Sequence, residues 1–66
     1  MNELARVVYG EFGVVLRHHA LGYDREEWVT HEFRTDDPSN TYWGHYFASE
    51  EEARQDFMDR ANRLAA

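Results

Sequence analysis

The chain has 66 residues, with 13 Asp and Glu against seven Arg, four His, and neither Lys nor Cys. A single core of that size supplies about 3–5 kcal/mol, and the missing cysteine excludes disulfides, thiolate catalysis and Cys-based zinc sites. The formal charge of −6 argues against phosphate-backbone binding, which runs on Lys and Arg. No apolar run approaches the roughly 20 residues of a membrane helix, and no basic-then-apolar leader opens the chain. The expectation is one domain spanning 1–66.

Residues 2–10 leave two readings open. Asn2 could cap a short helix ending at Gly10, or Ala5–Tyr9 could form a strand, toward which Val7, Val8 and Tyr9 lean. Residues 12–18 place Phe12, Val14 and Leu16 in one phase and Val15 and Arg17 in the other, as a strand does. Gly22-Tyr23-Asp24 marks a loose connection. Residues 28–35 alternate Val29, His31 and Phe33 with Trp28, Thr30 and Glu32. Asp37-Pro38-Ser39-Asn40 reads as a turn, because Pro presets its second position and Asp and Asn favour the flanks. Residues 41–47 alternate Trp43, His45 and Phe47 with Tyr42, Gly44 and Tyr46.

The last segment, 49–65, reads as an amphipathic helix. Ser49 and Glu52 form a capping box, and Glu50, Glu51 and Glu52 meet the positive end of the helix dipole. Ala53, Phe57, Ala61 and Leu64 recur at helical spacing. Glu50/Arg54, Asp56/Arg60 and Asp59/Arg63 stand four apart, acid first, as surface pairs do. The fold class is therefore α+β: a three- to four-stranded antiparallel sheet with one C-terminal amphipathic helix packed on one face. Trp43, Phe47, Val29, Phe33, Phe12, Val14 and Leu16 are expected beneath the helix. Val15, Arg17, Trp28, Thr30, Tyr42 and Tyr46 are expected on the opposite, wet face.

Chemistry is sparse. His31 and His45 share a phase and could be neighbours, but no two His stand four apart on a helix, and no metal site is expected. Ser39 lies in a turn and Ser49 is a cap, so no nucleophile is apparent. Pairs such as Asp36/Asp37 and Glu26/Glu27 have no cleft in which to shift a pKa. The glycines are scattered rather than gathered into a phosphate loop. The reading is a non-enzyme without cofactors. Base stacking on the aromatic face is disfavoured because Arg17 and Arg34 are outnumbered by Glu26, Glu27, Glu32, Asp36 and Asp37.

What remains is a surface. Residues 24–48 carry six acids against Arg25 and Arg34, beside the aromatic face. Carboxylates can stand in for phosphates, and charge complementarity speeds association. The expected partner is a protein with a basic surface. Asp24, Glu26, Glu27, Glu32, Asp36, Asp37, Glu50 and Glu51 would supply charge, and Trp28, Tyr42 and Tyr46 would anchor it.

A short, cysteine-free, acidic chain of strands followed by one helix resembles the small anti-CRISPR proteins of phages and mobile elements. The tail from Tyr42-Trp43-Gly44-His45-Tyr46-Phe47 into Ser49-Glu50-Glu51-Glu52-Ala53 carries the likeness. The resemblance implies an inhibitor acting in the cytoplasm of a bacterial or archaeal host. It would block the DNA- or PAM-binding surface of a CRISPR effector complex by charge mimicry. The alternative is a small homodimeric or antitoxin-like interaction domain without mimicry.

Overall fold

The computed structural model describes residues 2–66. Four strands run antiparallel in chain order: β1 (Asn2–Tyr9), β2 (Phe12–Gly22), β3 (Arg25–Arg34) and β4 (Asp37–Phe47). Helix α1 (Glu50–Ala65) follows and packs on the sheet. The α+β class and the C-terminal helix are as expected, and residues 2–9 form the fourth strand. Ser49 caps α1, its hydroxyl accepting from Glu52 N at 3.3 Å.

The connections are tighter than the sequence suggests. Tyr23 and Asp24 both hold positive φ, 50° and 62°. That is the two-residue hairpin turn whose twist matches that of the strands, not a loose connection. The β3–β4 turn falls on Thr35-Asp36, two residues before the expected one. Thr35 is fixed to the neighbouring hairpin by its N–H to Glu11 O at 2.9 Å and its hydroxyl to Gly10 O at 3.2 Å. Asp37-Pro38-Ser39-Asn40 belongs instead to the start of β4. There the register slips between Phe33↔Thr41 and Arg34↔Asp37, so Pro38 occupies an irregular edge segment, where a missing N–H breaks no ladder.

Residues paired across antiparallel strands share a face. On the helix side three rows cross the sheet: Val7–Val14–Glu32–Tyr42, Ala5–Leu16–Thr30–His45 and Asn2–His18–Trp28–Phe47. On the other side run Val8–Gly13–Phe33–Thr41, then Arg6–Val15–His31, then Glu3–Arg17–Val29–Tyr46. Phe12, Val14, Leu16 and Phe47 are on the helix side as expected, although Phe12 is 37% exposed. Val29 and Phe33 are on the opposite face, and Trp28, Thr30 and Tyr42 are on the helix side, the reverse of the expectation. Trp43 is on neither: the register shifts by one between Thr30↔His45 and Glu32↔Tyr42. Trp43 there takes φ 53°, and its ring is 70% exposed. Strict alternation carried back through this bulge keeps Tyr46 and Phe47 on their correct faces but assigns Tyr42, before it, to the wrong one.

Both faces are closed. Val14, Leu16 and Thr30 are buried on the helix side, and Val15, Val29 and Phe33 on the helix-free side. The second set is sealed by the sheet's own side chains. Phe33 lies across Gly13, where any Cβ would collide with the ring. The Arg6 guanidinium stands 4.6 Å above that ring, itself held by Glu3 at 2.8 Å. His31 fills the space left by Gly44, where a Cβ would sit 2.7 Å from its Nε2, and meets Tyr46 edge-on at 6.0 Å.

Candidate functional site

The expected partner-binding residues do not form one surface. β4 ends at Phe47, opposite Trp28, whereas β3 begins three residues earlier, at Arg25. The β2–β3 hairpin therefore projects past the end of β4. The chain leaves β4 at that end and enters α1, which runs back along the sheet so that Asp56 meets Thr30 and Arg60 meets Glu32. Asp24, Glu26, Glu27, Glu50, Glu51 and Glu52 thus gather at one end of a molecule 39 Å long. A concavity of about 500 Å³ opens there, lined by Leu21, Asp24, Arg25, Glu26, Glu27, Tyr46, Phe47 and Ala48.

The charge at this end is only partly offset. Arg54 binds Glu50 at 2.7 Å. His18 lies 3.7 Å from Glu26 and His19 lies 3.3 Å from Glu27, one pair on each face of the sheet. These two contacts become ion pairs only when the imidazole is protonated. Asp36 and Asp37 sit at the opposite end, in the β3–β4 hairpin, where Arg34 binds Asp36 at 3.2 Å and Ser39 donates to Asp37 at 3.4 Å. They cannot act in the same contact as Glu26 and Glu27.

The aromatic set is divided too. Trp28 is half-buried on the helix side, its ring 5.2 Å from His18. Tyr42, also half-buried on that side, meets Trp43 edge-on at 5.0 Å. Only Tyr46 stands on the helix-free face, 59% exposed, beside the acidic concavity. Tyr23, fully exposed at the hairpin tip, is a further aromatic at this end. Its position follows from the tight turn, which a reading of the segment as loose does not reveal.

Glu32 has a different role from the other acids. Arg60, 2% exposed, donates from Nη1 to Glu32 at 3.1 Å and from Nη2 to the Trp43 carbonyl at 2.5 Å. Its Nε lies 3.2 Å from Asp56, as an ion pair rather than a hydrogen bond. Asp56 also accepts from the Thr30 hydroxyl at 2.5 Å and meets His45 Nδ1 at 3.1 Å. Burial alone would raise the Asp56 carboxyl. Hydrogen bonds from Thr30 and His45, with the charges of His45 and Arg60, outweigh it and hold the group below the ordinary aspartate value. The Asp56/Arg60 pair was expected on the solvated helix surface. It is instead the centre of the helix–sheet interface, because Thr30, Glu32 and His45 all face α1.

His31 and His45, which a shared phase would allow to be neighbours, are separated by the sheet: His31 shares a row with Val15 and His45 with Thr30. No helix among the described residues is long and apolar enough to cross a membrane. Neither a family model, nor a curated protein, nor a solved structure matches this chain.

Proposed function

We propose that this chain is a non-enzymatic, protein-binding inhibitor whose acidic end engages a basic surface on its partner. The observation that supports this is a concavity lined by Asp24, Glu26 and Glu27 and walled by Tyr46 and Phe47, at the end of the molecule where Glu50, Glu51 and Glu52 open α1. Among the described residues, Arg25 and Arg54 are the arginines that stand beside these acids. Complementary charge accelerates encounter and fixes orientation, while an aromatic in a desolvated contact supplies most of the binding energy. Glu26, Glu27, Asp24 and Glu51 carry the charge in this reading, and Tyr46 the anchor. Glu32 is excluded because Arg60 consumes it.

Reversal of Glu26 and Glu27 to Arg tests the proposal. Capture of a basic partner should drop sharply, the remaining binding should weaken further with salt, and circular dichroism should stay unchanged. Undiminished capture by the double variant in about 0.5 M salt, where screening acts within roughly 4 Å, would defeat it. The narrower form of the proposal is a CRISPR effector blocked at its DNA- or PAM-reading surface. It rests on the likeness in size, acidity and layout, and requires that the protein compete with target DNA for the effector.

A second reading, a homodimeric or antitoxin-like interaction domain, is favoured by the β1 edge. Leu4 and Val8 are 40% and 49% exposed there; β1 is irregular between Glu3 and Ala5, but from Ala5 to Tyr9 it pairs regularly and carries no proline. Unprotected edges pair with other strands. Sedimentation at increasing concentration tests the homodimeric form of this reading, since a chain that stays monomeric excludes self-pairing through β1.

A further inference from the structure

We propose that the cleft between the β4 bulge and the C-terminal half of α1 binds a small organic anion that carries a flat apolar group. This cleft is separate from the acidic end. It encloses about 260 Å³ and is lined by Glu32, Trp43, His45, Arg60, Arg63 and Leu64, a volume suited to a small ligand rather than a macromolecule.

The charge balance leaves one cation unassigned. Arg60 is neutralised by Glu32 and Asp56. Arg63, one turn further along α1, lines the same cleft and makes no ion pair among the described residues. Asp59, four residues before it, is bound by Gln55 at 3.0 Å instead. A cation in the last turn offsets the helix dipole from any side of the helix, so the dipole does not explain why Arg63 lies on the side of the cleft. Its guanidinium is a planar fork suited to a carboxylate or phosphate.

The rim carries a second unexplained feature. A bulky residue at positive φ is an outlier, and such backbone costs about 1–3 kcal/mol. Trp43 takes that conformation, lines the cleft and is 70% exposed. The ring meets Tyr42 edge-on but stays largely in solvent, so its burial returns little of that cost. Arg60 secures it by binding the Trp43 carbonyl. Bulges recur beside binding sites because they re-aim a side chain, and here the re-aimed side chain is a flat aromatic beside a free guanidinium. Leu64 extends the apolar wall. Asp56 occupies His45 Nδ1, so Nε2 remains to meet a polar substituent. Arg63 binds the anionic head of the ligand, and Trp43 and Leu64 hold its flat body.

Benzoate titrated into the isotope-labelled full chain, followed by amide and indole resonances, tests this. Saturable shifts are expected at the Trp43 indole and at residues 60–64, with the Trp28 indole unmoved. Arg63→Gln, at a surface position that preserves the spectrum, should weaken benzoate about tenfold or more, since hydrogen bonds to charged groups are the stronger class. Trp43→Leu should weaken it several-fold. Benzyl alcohol, which keeps the ring without the charge, should bind at least tenfold more weakly than benzoate. Shifts that never saturate, an Arg63→Gln titration superimposable on the wild type, or equal binding of benzyl alcohol would each overturn the proposal.

Discussion

The two faces of the sheet are closed by opposite means. The helix-covered face holds the buried charges: Arg60 at its centre, with Glu32, Asp56, Thr30 and His45 around it. The helix-free face holds Val15, Val29 and Phe33, each at most 2% exposed, under a roof of Arg6, Tyr46 and a histidine. The helix-covered side also buries Val14, Leu16 and Ala53, so a helix laid on a sheet does not by itself mark where the whole apolar core lies. Long amphipathic side chains bury their stems on apolar surface and keep their heads in water, and two strand glycines leave room for rings to lie flat. In a chain this small, one helix cannot supply a whole core, and the second face contributes a share.

That contrast can be broken at several points. Phe33→Ala removes the largest apolar side chain of the helix-free face. The expected loss is about 3–5 kcal/mol, comparable with all that one small core supplies, so thermal and urea melts should show a chain largely unfolded at room temperature. Arg60→Ala strikes the other face, leaving Glu32 and Asp56 without their cation. Breaking a buried pair costs about 3–5 kcal/mol, and the partial exposure of both carboxylates places this one near 3 kcal/mol. The double change Arg60→Met and Glu32→Leu should recover part of the loss in the urea midpoint, because it removes one of the two carboxylates left without a cation and fills the space with apolar side chains, while Asp56 keeps its charge. A double variant no more stable than Arg60→Ala would show that the network is more than a filled space.

Gly13→Ala sharpens the comparison at smaller cost. Its methyl group meets the Phe33 ring, and overpacking costs about 1–3 kcal/mol. In a Phe33→Leu background the penalty should shrink, which a double-mutant cycle reads directly. The smallest effect belongs to pH. Burial, then the charges of Arg17 and Arg60, hold the His31 imidazole below its ordinary value of 6.5. The unfolded chain therefore binds the proton more readily than the folded one. Stability from this group is complete above the unfolded value and is lost as pH falls through the folded one. His31→Gln should flatten the stability profile just below pH 6.5 while leaving the more acidic loss, to which Asp56 contributes, in place.

The elements were legible in the sequence to different depths. The helix was read to within a residue, since its cap, acidic first turn and apolar spacing are local signals. The strands are recognisable by their β-branched and aromatic content, but their faces only in part. The phase in β2 was correct because no irregularity interrupts Phe12, Val14 and Leu16. In β4 the bulge at Trp43 shifts the alternation by one, and nothing in Tyr42-Trp43-Gly44 announces it apart from the glycine. In β3, Val29 and Phe33 look like residues that a helix should cover, and pattern alone offers no other roof. Of the candidate site, Asp24, Glu26, Glu27, Glu50 and Glu51 assemble, whereas Asp36 and Asp37 fall at the far end and Glu32 is taken by Arg60.

Charge, size and the absence of cysteine are properties of composition, and the sequence alone determined them. It also determined that strands precede a capped helix, because those signals act over a few residues. Which face each strand residue takes, which acids share one end, and that Arg60 is buried rather than solvated were decided by tertiary structure. Each depends on register and helix direction, and these follow from pairing between segments far apart in the chain.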